Sequence, residues 1–70
     1  MTRDKMISKL YKMALKLLKN YDSELENKMW KLCIDWNSNN YDNEIFMSEI
    51  WNENDTDIIG FAIEDDCFYW

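Results

Sequence analysis

Between Arg3 and Tyr21 apolar residues return every third or fourth position, and no other stretch of this 70-residue chain is as restrictive. At about 100° per residue, Met6, Leu10, Met13, Ala14, Leu17, Leu18 and Tyr21, flanked by Ile7, Tyr11 and Leu15, cover an arc of about 200°. Lys5, Lys9, Lys12, Lys16 and Lys19 fall within about 80° on the opposite side. The spacing predicts a helix over 3–21, buried on more than one face and carrying a thin, solvated lysine stripe.

The next segment repeats the period. Ser23 and Glu26 have capping-box spacing, in which the two side chains satisfy orphan backbone donors at a helix start. A second helix over 24–37 then places Leu25, Met29, Leu32, Cys33 and Trp36 on one face, widened by Trp30 and Ile34. Glu24 and Lys28 make a favourable outward pair one turn apart. So short a connection implies an antiparallel helix hairpin.

After the polar loop "NSNNYDN" (37–43) the period is ambiguous. "EIFMSEIW" is either a third helix at 43–53 or a strand with Ile45, Met47 and Trp51 opposite Phe46 and Ile50. "DIIGFAI" is strand-like, and "EDD" turns it into "CFYW". A lone hairpin is marginal in water, so the third strand is preferred. The expected architecture is α+β: helix 3–21, helix 24–37 and an acidic three-stranded antiparallel meander over 44–70, in one domain, 1–70. The alternative is the third helix with a C-terminal hairpin.

Size constrains what holds such a domain together. Seventy residues lie near the lower limit for independent folding, but four Trp, four Tyr and three Phe supply a dense core without a disulfide or metal. A homodimer is the other route to enough burial. Cys33 and Cys67 make no disulfide framework, and Cys33 reads as a small buried residue. Lysines interrupt any signal-peptide core, no apolar run reaches membrane length, and the expected compartment is the cytoplasm.

The chemistry is restricted by what is missing. Without histidine, Ser-His-Asp and Cys-His sites and most zinc sites are excluded; with one glycine there is no phosphate-cradling loop. Asp55, Asp57, Gly60 and Asp66 match positions 1, 3, 6 and 12 of an EF-hand loop, but Ile59 at position 5 has no ligand oxygen, and the match reads as accidental. No enzyme, no metal and no cofactor are expected.

Charge carries the functional reading. Residues 1–31 hold eight basic and four acidic residues, a net of +4; residues 32–70 hold ten acidic residues and no basic one, a net of −10. Together they give −6. Such a split is expected to make a continuous acidic face complementary to a basic, nucleic-acid-binding host protein, with charge steering the encounter and a few aromatics supplying affinity. The candidate contacts are Glu49, Trp51, Glu53, Asp55, Asp57, Glu64, Asp65, Asp66 and Trp70. Direct nucleic-acid binding by that half is disfavoured.

Scarce Gly, Ala, Arg and Pro point to AT-rich coding, common in bacterial viruses and mobile elements. In size, acidity and lack of catalytic groups the chain resembles the class of small viral inhibitors that includes anti-CRISPR proteins and DNA mimics. No motif identifies a family within it. The resemblance implies a non-enzymatic, protein-binding inhibitor. The alternatives are a self-associating structural or regulatory protein, and contact of the lysine stripe with membrane or nucleic acid.

Overall fold

Thr2 opens the first helix: its hydroxyl accepts the Lys5 N–H at 3.3 Å. This helix, α1 (Arg3–Lys19), carries Asp4 in its first turn and Lys16 and Lys19 in its last, each sign matched to its end of the helix dipole. In the computed structural model, which describes residues 1–69, α1 is followed by α2 (Ser23–Asn39), one 3-10 turn (Tyr41–Asn43), and strands β1 (Met47–Trp51), β2 (Ile58–Ile63) and β3 (Asp66–Tyr69). The strands form one antiparallel sheet in the order β1-β2-β3. The α+β helix-hairpin-and-meander architecture is therefore the one the sequence reading preferred, and residues 47–51 of the disputed segment are strand.

Three local expectations need correction. The capping box does not form: Asp22 is the N-cap of α2, its carboxylate accepting the Glu24 N–H at 3.0 Å. Glu26 turns inward instead. Ile34 is 62 % exposed, because it lies about 100° around the helix from Cys33, beyond the reach of α1 and the sheet. And α1 is buried on one side only. Met6, Leu10, Ala14 and Leu17 are inside, whereas Tyr11 and Leu15 sit at its open margin. Tyr11 covers the core edge there by an edge-to-face contact with Phe68, ring centroids 4.7 Å apart. All five lysines of the stripe are exposed.

The core joins Met6, Leu10, Ala14 and Leu17 of α1 to Met29 and Cys33 of α2 and to Ile45, Phe61 and Ile63. Asn37 ties α2 to the chain entering β1. Its side-chain oxygen accepts the Ile45 N–H at 2.8 Å and its amide donates to the Ile45 carbonyl at 3.0 Å. One side chain thus does for Ile45 what a neighbouring strand would do. The Cys33 thiol donates to the same carbonyl at 3.5 Å.

Pairing of β1 with β2 slips once. Ile50 faces Gly60 and Trp51 faces Ile58, so Ile59 is the extra residue of a bulge. The slip brings Ile58 rather than Ile59 onto the core.

Candidate protein-binding surface

Strand alternation divides the sheet's side chains between two faces. Met47, Glu49, Phe61, Ile63 and Phe68 lie on the helix side. Phe46, Ser48 and Ile50 at β1, Gly60 and Ala62 of β2, and Cys67 and Tyr69 of β3 share the other side. None of these is charged. Phe46 is 70 % exposed and Tyr69 58 %. Both helices pack on the opposite face, so this apolar surface faces outward. A contiguous patch of this kind marks an interaction site more often than a scatter of single exposed residues does.

The acids stand at the two ends of that face. Glu53, Asp55 and Asp57 belong to the β1–β2 loop, where Asn52 is the organiser. Its side-chain oxygen accepts the N–H groups of Asn54 and Thr56 at 3.0 and 3.1 Å, and its amide donates to the Thr56 hydroxyl at 2.9 Å. These bonds, with Asp55 held at φ 53°, turn the three carboxylates to solvent. Asp65 lies in the β2–β3 turn and Asp66, opposite Ile63, begins β3 at the same end of the sheet. Six strand residues separate the ends by about 20 Å. The continuous acidic face expected from the sequence is therefore two anionic rims with an uncharged centre. Antiparallel connection sends successive loops to opposite ends, however close they are in sequence.

Not every expected contact residue is free to serve. Glu64 accepts from the Arg3 guanidinium and from the Phe46 N–H at 3.2 Å, and the same guanidinium donates to the Glu44 carbonyl at 3.1 Å. Glu64, at φ 58°, is a clasp between the start of α1 and the sheet. Glu49 is half-buried on the helix side and accepts the Trp30 indole N–H at 3.2 Å. Trp51 is 45 % exposed and lines a cleft with Tyr21, Thr56, Asp57, Ile58 and Ile59. Trp70 lies outside the described residues.

The sequence reading missed Glu26. It is 9 % exposed; one carboxylate oxygen accepts the Tyr21 hydroxyl at 3.1 Å, and the other has no hydrogen-bond partner among the described residues. Burial pushes its pKa above 4.5, the Tyr21 hydrogen bond pulls it partly back, and the charge of Glu49 raises it further. The available signal was its place on the α2 wheel, about 20° from Cys33. A carboxyl with a raised folded-state pKa stabilises fully below its unfolded pKa and loses that contribution as pH rises through the folded value. Glu26→Gln should therefore raise neutral-pH stability by about 1 kcal/mol. Below pH 4.5 the difference from wild type should vanish. Urea midpoints of both proteins across that window test this, and an equal loss at every pH would refute it.

Neither Cys33 nor the EF-hand match has the surroundings its chemistry would need. Both thiols are free, Cys33 buried and Cys67 exposed. Burial raises the Cys33 pKa against a weaker opposing hydrogen bond from Asn37, the reverse of what a nucleophile needs. Gly60 sits inside β2 and Asp66 begins β3, so the spacing match spans a hairpin instead of a loop. Among the described residues no group of three or more His, Cys, Asp or Glu side chains could hold a metal ion, and no helix is long and apolar enough to cross a membrane. Comparison with protein-family models, with curated proteins and with solved structures finds no match to this chain.

Proposed function

We propose that this protein is a non-enzymatic inhibitor that covers the nucleic-acid-binding groove of a basic partner. The observation that carries the reading is the outer sheet face, uncharged along its length, with Phe46 exposed toward one end, Ile50 and Tyr69 toward the other, and carboxylates beyond both ends. A groove for single-stranded nucleic acid offers cations along the backbone track and apolar or aromatic platforms to the bases. Anions outside and flat apolar groups inside present the complementary pattern. Electrostatics disfavour a second copy on this face. Both of its ends are acidic, so either antiparallel or parallel stacking of two copies brings like charges together.

Two variants test the proposal against a basic partner captured from a lysate of the host cell. Reversal of Asp55, Asp57, Asp65 and Asp66 to lysine should abolish capture without altering the circular dichroism spectrum. Phe46→Ala with Tyr69→Ala should weaken it by tenfold or more, as loss of aromatic anchors does. Capture should fall as salt rises, and the partner's own nucleic acid should compete. Retention by the charge-reversed protein would defeat the reading. The exposed lysine stripe of α1 favours a second reading, contact with a polyanion. It predicts binding to anionic vesicles or DNA that Lys9→Glu with Lys16→Glu removes.

A further inference from the structure

The cleft beside Trp51 lies apart from the outer sheet face, and its chemistry is specific. It has a volume of about 510 Å³ and is lined by Tyr21, Trp51, Thr56, Asp57, Ile58 and Ile59. Tyr21 comes from the short link between the helices. The bulge builds the opposite side, because the slip at Ile59 brings two consecutive isoleucines to one opening. Two aromatic rings, an apolar wall and a lining carboxylate suit a cation on an apolar stem.

A second observation points the same way. Behind Tyr21 lies Glu26, nine-tenths buried, with one oxygen lacking any donor among the described residues. Glu49 and Asp22 add negative potential at Tyr21. The one ion pair among the described residues, Arg3 with Glu64, is at the other end of the sheet. A buried carboxylate without a counter-ion is costly, and an incoming cation would relieve that cost.

We propose that this cleft is a socket for a lysine or arginine side chain, its cationic head between the Tyr21 and Trp51 rings and its stem along Ile58 and Ile59. Asp57 is the carboxylate among the lining residues, and Glu26 and Glu49 supply the field from behind. That the side chain belongs to the basic partner rests on the reading above; that the cleft binds such a cation does not.

The test therefore uses the protein without any partner. Nα-acetyl-lysine methylamide and its arginine counterpart are titrated into labelled protein, followed by NMR at the Trp51 indole and the Ile58 and Ile59 methyls. Saturable shifts are expected. Trp51→Ala should abolish them, with Trp51→Phe retaining part of the binding as a check that the fold is intact. Glu26→Gln should weaken them several-fold, and the probe should move the Glu26 titration to lower pH. The neutral analogue Nα-acetyl-norleucine methylamide should give no saturable shift. Absence of saturation with either cation, equal binding of the norleucine compound, or an unmoved Glu26 titration would overturn the socket. Probe binding by a protein that captures no basic partner leaves the socket standing and removes the inhibitor reading; the converse removes the socket alone.

Discussion

Gly60→Ala should destabilise the protein by about 3 kcal/mol or more. Gly60 does not occupy the left-handed region; close approach is what demands it. A methyl group there would stand 1.9 Å from the Phe68 carbonyl oxygen and 2.9 Å from both the Phe68 carbonyl carbon and the Tyr69 Cα. All three are backbone atoms of β3, so no side-chain rotation relieves the clash, and β3 must move away. Moving it breaks the pairing of Gly60 with Tyr69 and Phe61 with Phe68 and withdraws Phe68 from Tyr11. A domain of this size has a total stability of about 4–10 kcal/mol, so the variant should be partly unfolded or close to it. Urea unfolding followed by circular dichroism measures the loss. A midpoint near that of wild type would show that β3 is not held against β2 as described.

Phe61→Ala should cost about 3–5 kcal/mol, the range for removing a fully buried aromatic ring. Phe61 is the largest of the completely buried side chains, 0 % exposed at the centre of the middle strand. Leu10, Leu17, Met29 and Ile63 share that core, and a chain this short has little other apolar surface with which to refill the cavity. Phe46 is the internal control. It is the same residue type, but 70 % exposed on the outer face, so Phe46→Ala should change stability by no more than about 0.5 kcal/mol. A larger cost for Phe46→Ala than for Phe61→Ala would mean that the faces of the sheet are the reverse of those described. A neutral Phe46→Ala that also weakens partner capture would separate binding from folding at one residue.

Helix boundaries were the most legible part of the fold. The apolar period located α1 to within two residues, since a helix that buries one stripe must repeat it every turn. α2 was similarly clear, but its cap was not. Asp22 and Ser23 are both good N-cap residues, and the choice between them depends on Glu26, which the core takes for itself. For residues 45–51 local pattern fitted helix and strand almost equally. Pairing with β2, Met47 opposite Ile63 through Ile50 opposite Gly60, settles it, and such pairing joins residues far apart in sequence.

The candidate surface was legible as chemistry but not as geometry. The absence of positive charge after Lys31 is a property of the chain itself, and it holds whatever the fold. Which acids stand together was invisible. Glu53, Asp55 and Asp57 are separated from Asp65 and Asp66 by the length of β2, while Glu64, next to Asp65, is engaged by Arg3 from the far end of the chain. The cleft at Trp51 and the buried Glu26 behind it likewise arise where the helix link, α2 and a bulged strand pair meet.

Sequence alone therefore determined the composition of the surfaces and the elements with a strong local period, because these depend on residues a few positions apart. Tertiary structure alone decided which charges meet, which face of the sheet remains uncovered and which carboxylate is buried. Those outcomes follow from hairpin reversal, register and the one-sided packing of two helices, each of which brings together residues that no local pattern connects.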